Sequence, residues 1–182
     1  MLKKILIGVG VFAVIVIALL AYLNHRNRTL SPPGYAESES VGLSVSIKYS
    51  KPSVRDRVVF GTEAEKALQP YGKYWRLGAN EATVITFDKD VTFGGHSLSA
   101  GSYSLYAIPG EDSFVIGVNS EIDRWGYSEP DYRNDVARVT IPVEEDIHTE
   151  QFTIDLEKVN DGVDMIVRWS SVKLTVPIRA KS

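Results

Sequence analysis

The chain has 182 residues, and 20 Lys and Arg against 23 Asp and Glu give it a formal net charge of −3. It contains no cysteine, which excludes disulfides, thiolate chemistry and lipoprotein processing on a cysteine. Four of the basic residues flank the first apolar run, so the remaining sixteen meet all 23 acids and the body carries −7. A body of that sign without a basic run is a poor nucleic-acid binder, because phosphate contact needs clustered Lys and Arg. By the same overall sign it is not expected to lie flat on an anionic membrane.

In chain order, the first element is an apolar run from Ile5 to Leu23 with no charged side chain. Nineteen helical residues at about 1.5 Å each span roughly 28 Å, close to the ~30 Å hydrocarbon core of a bilayer. Lys3 and Lys4 precede the run, and Arg26 and Arg28 follow it. A cleaved signal peptide is the competing reading, but its apolar region is normally shorter and ends in a small-x-small site. Here Ala21 has the bulky Leu19 two positions before it. The expectation is an uncleaved signal-anchor over residues 1–23, with the tail in the cytoplasm and the body outside it. Two lysines and the α-amino group before the helix nearly balance two arginines and His25 after it, and a four-residue tail translocates readily, so flanking charge alone does not set that orientation. Residues 24–40, NHRNRTLSPPGYAESES, are polar, hold Pro32-Pro33-Gly34 and follow neither period, which predicts a short extended linker. The Asn27-Arg28-Thr29 sequon lies within it and is read as a chance match.

From Val41 onward the period is two. Val41, Leu43, Val45, Ile47 and Tyr49 alternate with polar residues, as do Phe152, Ile154 and Leu156, then Val163, Met165, Val167 and Trp169, then Val172, Leu174, Val176 and Ile178. Further strands are expected over 57–60, 82–87, 103–108, 114–118 and 136–143, with a single helical turn over 63–68. Gly94-Gly95, Pro109-Gly110 and Asn160-Asp161-Gly162 supply turns. Gly42 is expected to mark a bulge or a close backbone approach, and Pro177 an edge. About nine short strands without a long helix predict an all-β domain over residues 41–182, an antiparallel β-sandwich of jelly-roll type behind one N-terminal transmembrane helix.

Between two of these strands runs QPYGKYWRLGANEAT, Gln69 to Thr83. It closely resembles the signature of a bacterial family known as domain of unknown function 2911. The resemblance extends to Tyr49-Ser50-Lys51-Pro52-Ser53-Val54-Arg55, to Ala100-Gly101-Ser102-Tyr103-Ser104-Leu105 and to Trp125-Gly126. It covers roughly residues 41–152 and implies a bacterial envelope domain, often exported, with no established activity and no catalytic residues to carry over.

The loop itself has two unlike halves. Tyr71, Tyr74 and Trp75 supply apolar surface, whereas Arg76, Asn80 and Glu81 supply a donor fork, an amide and a carboxylate. Gly78 permits a positive φ that can fold the chain back so that Arg76 and Glu81 meet. One reading is architectural: Trp75 plugs the sandwich and an Arg76–Glu81 pair fixes the loop. The other is a pocket with an aromatic floor and a polar rim. A second concentration, Arg124, Trp125 and Tyr127 with Tyr132 and Arg133, lies in the unpatterned stretch 119–134, the longest loop of the body. Aromatic faces beside Arg can stack on sugar rings or cover a pocket. The two loops are expected to meet as one site.

Other chemistry is not legible. His25, His96 and His148 show no ligand spacing, so no metal or cofactor is expected, and Asp88, Asp90, Asp161 and Asp164 lack an EF-hand pattern. Hydrolase, phosphate-loop and dinucleotide motifs are absent from the sequence. Glu81 with Asp123 or Glu121 is the only carboxylate pairing that suggests glycoside hydrolysis, and nothing in the spacing requires it. The expected function is non-catalytic binding of a glycan or peptide through Trp75, Arg76, Asn80, Glu81, Arg124, Trp125 and Tyr127. The alternative is a structural or partner-interaction module of the envelope, with a hydrolase third.

Overall fold

The computed structural model describes residues 2–181. Its first element, α1 (Leu2–Leu30), is apolar through Leu23 and is the one described helix long and apolar enough to cross a membrane. Its apolar side chains from Ile5 to Leu23 lie exposed along the helix. The helix does not stop where the apolar run stops. The polar residues 24–30 are compatible with helix, and the first real breaker is Pro32, which disfavours helical geometry at Ser31. The expected linker over 24–40 is therefore corrected. Its first part continues α1, its last part is the strand β1 (Pro33–Ser40), and only Ser31-Pro32 separates them.

β1 pairs along its whole length with β2 (Leu43–Ser50), from Pro33↔Ser50 to Ser40↔Leu43. Val41 (φ 52°) and Gly42 (φ 71°) form the turn between them, so Gly42 marks a tight hairpin and not a bulge. Then follow β3 (Phe60–Gly61), β4 (Gln69–Pro70), β5 (Thr83–Phe87), β6 (Val91–Phe93), β7 (His96–Leu98), β8 (Gly101–Ile108), β9 (Ser113–Asn119), β10 (Asp135–Pro142), β11 (Glu144–Val159) and β12 (Gly162–Ala180). The described residues thus form twelve strands, not nine. Four of them, β3, β4, β6 and β7, are only two or three residues long, and β1 is too polar to announce itself. Residues 63–66 form a turn and no helix; the Thr62 N–H and hydroxyl both bind the Glu65 carboxylate there.

The sheets are ordered β1-β2-β5-β8-β9-β10, β11-β12-β6-β7, and a small parallel pair β3-β4. The first two face each other as an antiparallel sandwich. Alternating residues meet between them: Leu43, Val45 and Ile47 of β2, Ile85 and Phe87 of β5, and Ile154, Met165, Leu174 and Val176 opposite. Burial of this apolar layer, at about 25 cal/mol per Å2, is the main force holding the body together. The two strands predicted at 163–169 and 172–178 are one strand, β12, bent at Ser170 (φ 56°). Pro177 lies in this internal strand, not on an edge strand; it stands past the last residue paired with β11, Lys173↔Glu144, and is exposed.

Candidate functional site

The loop between β4 and β5 turns sharply because Leu77 (φ 49°), Gly78 (φ 148°) and Asn80 (φ 58°) all leave the usual backbone basins. Gly78 has a second reason to lack a side chain: a Cβ there would lie 3.1 Å from the Ser50 carbonyl oxygen. The doubled chain is fastened by Thr83, whose hydroxyl donates to the Leu77 carbonyl at 2.7 Å. On its inward side Trp75 exchanges both backbone hydrogen bonds with Ala107 of β8 (2.8 and 2.7 Å). Its indole stacks on Trp169 at 5.6 Å and meets Phe60 and Phe152 edge-on at 5.4 and 5.3 Å. At 2% exposure Trp75 is core, so its expected place among the ligand-binding residues is corrected. The largest side chain in the loop went where burial gains most.

The two aromatic and Arg-rich loops do meet. The Ala82 N–H donates to the Arg124 carbonyl (3.3 Å), Gly126 N–H to the Asn80 carbonyl (3.1 Å), and the Tyr74 hydroxyl to the Gly126 carbonyl (3.0 Å). Glu81 and Trp125 form a bridge. Gly126 fits because a Cβ would fall 3.0 Å from the Arg76 Cδ and 3.1 Å from the Asn80 carbonyl oxygen. The expected Arg76–Glu81 pair does not form. Arg76 donates to the Asn80 carbonyl (3.3 Å) and lies over the Tyr127 ring, 5.6 Å from its centre. Glu81 instead accepts from Arg28 at the end of α1. Asn80 also reaches that end, donating to the Ser31 carbonyl at 3.1 Å, and Arg55 donates to the Leu30 carbonyl at 2.8 Å. One helix end, one tight loop and one long loop thus form a single junction.

Two clefts open beside this junction. The larger, about 810 Å3, runs over β1, β2 and β5. Tyr35, Val84 and Ile122 give it apolar surface, while Arg28, Lys48, Glu81, Asp123 and Arg124 give it charge. The smaller, about 410 Å3, is lined by Asn27 and Leu30 of α1, by Arg55, Arg57 and Arg76, and by Asn80, Tyr127 and Trp169. Trp125 lines both and is 51% exposed; Tyr127 is 76% exposed.

The electrostatics separate the arginines into two groups. Arg28, Arg133, Arg138, Arg168 and Arg179 each pair with a carboxylate. Arg55, Arg57, Arg76 and Arg124 have only neutral acceptors among the described residues. Arg124 donates to the Tyr74 hydroxyl and the Ser128 carbonyl, and its buried Nε and Nη2 have no acceptor there. Burial, with Arg124 nearby adding repulsion, holds the Arg76 guanidinium below the usual arginine range.

The carboxylates considered for calcium serve local structure. Asp88 and Asp90 accept the Ser44 and Ala100 N–H groups, and Asp161 and Asp164 pair with Arg179. Sequence patterning missed the roles of Arg28, Arg55 and Arg57, because nothing local shows that α1 reaches back to the loops. It also missed a polar cluster beneath the long loop. Tyr106 donates to Asp135 at 2.6 Å, Asn119 donates to the same carboxylate at 2.8 Å, and Tyr132 packs 5.5 Å from the Tyr106 ring. Burial and then the Asp135 carboxylate push the Tyr106 phenol well above its ordinary range. This cluster holds residues 119–134 against the outer face of the sheet.

Comparison with known proteins adds one match. A family model described as Protein of unknown function (DUF2911) matches residues 31–178, which begins where α1 ends. No curated protein and no solved structure matches the chain.

Proposed function

We propose that this chain, which belongs to the DUF2911 family, is a membrane-anchored extracytoplasmic domain that binds a glycan or peptide in its larger cleft. α1 supports the anchor, since nineteen apolar residues match a bilayer and remain exposed along the helix.

The observation that carries the binding role is the junction of the two loops, which leaves Trp125 half-exposed over a cleft of about 810 Å3. That size suits a small ligand or a short stretch of a longer one. Trp125 offers a face for a sugar ring or an apolar side chain. Glu81, Asp123, Lys48 and Arg124 offer both acceptors and donors, the mix that hydroxyls and amides require.

The test is a titration of the full chain in detergent with soluble glycan fragments and with short peptides, read by the heat of binding. A saturable change that Trp125→Ala abolishes supports the reading. A chain that responds to neither class, in a preparation with intact folding, refutes it. The second reading, a partner-interaction module, draws support from how many loop residues serve architecture: Trp75, Arg76 and Asn80 all bond within the protein.

A further inference from the structure

We propose that the smaller cleft is a headgroup site, in which Arg55, Arg57 and Arg76 receive the phosphate of an anionic phospholipid from the membrane that α1 enters. The proposal rests on the anchored reading of α1.

Depth is the first observation. The apolar run ends at Leu23, and Asn27, on the rim of the smaller cleft, is four residues further on. At about 1.5 Å per residue that is roughly 6 Å beyond the hydrocarbon edge. The headgroup layer is itself about 5–7 Å thick on each side, the difference between the ~30 Å core and the ~40–45 Å bilayer. No spacer lifts the body away, because α1 continues to Leu30 and only Ser31-Pro32 precede β1. The body is also tied to that helix end by Arg28–Glu81, Asn80 to Ser31 and Arg55 to Leu30. The cleft rim therefore starts at headgroup depth.

Donor excess is the second. Three guanidiniums line the cleft, none of them paired with a carboxylate among the described residues, and no Asp or Glu lines it. Its floor includes Trp169, which is buried and whose indole N–H has no acceptor among the described residues. Guanidiniums held only by neutral carbonyls, with no carboxylate beside them, suit an anionic ligand made of acceptor oxygens, and planar guanidiniums match phosphate two bonds at a time. Five other arginines in this acidic chain found carboxylates, whereas these three, and Arg124 of the neighbouring cleft, are held by neutral acceptors alone. The rim adds Trp125 and Tyr127, exposed aromatics of the type that settles at the membrane interface. The body's overall −7 does not oppose this, because only Glu81 and Asp123 of the acidic residues line either cleft and the interaction decays within about 8–10 Å.

Trp125 is the exposed tryptophan, Trp75 and Trp169 being buried, so it reports on its own surroundings. The experiment places the full chain in nanodiscs of phosphatidylcholine with one quarter phosphatidylglycerol. A spin label on a small fraction of headgroups quenches nearby tryptophan, and Trp125→Phe assigns the signal. Each juxtamembrane Arg near an anionic surface biases it by about five-fold, so three give on the order of 100-fold. The expected result is strong quenching of Trp125 in the anionic discs. It is lost in the triple Arg55→Gln, Arg57→Gln, Arg76→Gln variant and largely kept in the matching triple Lys variant, which keeps the charge. Near-ultraviolet circular dichroism checks that both variants fold.

Quenching that ignores phosphatidylglycerol and the arginines overturns the proposal, as does emission as protected as that of the buried tryptophans. In a detergent arm, saturation of the cleft by micromolar inorganic phosphate assigns it to a soluble ion and overturns the lipid source. Carbonate extraction and the intact mass are read in parallel. A chain that has lost α1 overturns the anchor and the headgroup site together, whereas an anchored chain without quenching overturns the headgroup site alone.

Discussion

Truncating Trp75 tests the reassignment of the most prominent loop residue from ligand contact to core. The indole is packed among Phe60, Phe152 and Trp169 at 5.3–5.6 Å between ring centres, with 2% of its surface exposed. Trp→Ala in such a setting costs about 3–5 kcal/mol, since transferred area is lost and a cavity remains. Three aromatic contacts, each contributing up to about 1 kcal/mol beyond area, place the cost toward the upper end of that range. For a body of this size 1 kcal/mol moves the melting temperature by about 2–4 °C, so Trp75→Ala melts some 10–20 °C lower. Trp125→Ala, at a half-exposed rim, changes stability by less than about 1 kcal/mol. The assay is urea unfolding of the full chain in detergent followed by far-ultraviolet circular dichroism, with both variants beside wild type. A Trp75→Ala cost below about 1.5 kcal/mol, or a larger cost for Trp125→Ala, would refute the placement of the two indoles.

Three further outcomes are expected. Gly117→Ala puts a Cβ inside the Tyr106 ring, so Tyr106 must leave Asp135; overpacking and a lost bond to a charged group together cost about 2–5 kcal/mol. The same change in a Tyr106→Ala background costs far less, and a double-mutant cycle measures the difference. Because the Tyr106 phenol is raised above its unfolded value of about 10, the native state keeps that proton where the unfolded state loses it. Stability from this group is complete below pH 10 and declines as pH rises beyond it, and Tyr106→Phe makes the decline shallower in unfolding measured from pH 9 to 11.5. Glu81→Gln removes an ion pair whose two side chains are nearly half exposed, which costs less than about 1 kcal/mol and shrinks further in high salt.

Strands with an apolar face were legible, β8 among them, whereas the polar edge strand β1 and the two- or three-residue strands β4, β6 and β7 were not. β2, β5 and β10 alternate as the pattern predicts because one face meets the core and the other meets solvent. β8 breaks the rule: Ser104, Leu105, Tyr106 and Ala107 are all buried, since the long loop covers its outer face through Tyr106, Asn119 and Asp135. β1, PGYAESES, is the long strand that hid. It is an edge strand that buries little, and its register comes from pairing with β2 and from the Val41-Gly42 turn. The site divides the same way. That Trp125 and Arg124 belong with Asn80 and Glu81 could be suspected from residue type. That Arg28 takes Glu81 away from Arg76 could not, because it depends on α1 outlasting its apolar run by two turns.

That extra length decides what the junction can do. A flexible spacer of 17 residues would let the body sample distances of about 20 Å from the bilayer and any orientation. Two residues after a continuous helix, with three side-chain bonds across the joint, leave one orientation. In that orientation the guanidiniums without carboxylate partners crowd the helix end, while those elsewhere are neutralised in pairs. With α1 as the proposed anchor, electrostatics would reinforce what the covalent joint begins: an anionic surface would attract the base and repel the rest of a body that is −7 overall. On the proposed anchored reading, a cleft beside Trp125 would stand at fixed height above the membrane, within reach of ligands lying on that surface. Binding there would carry no entropy cost of ordering a tether first.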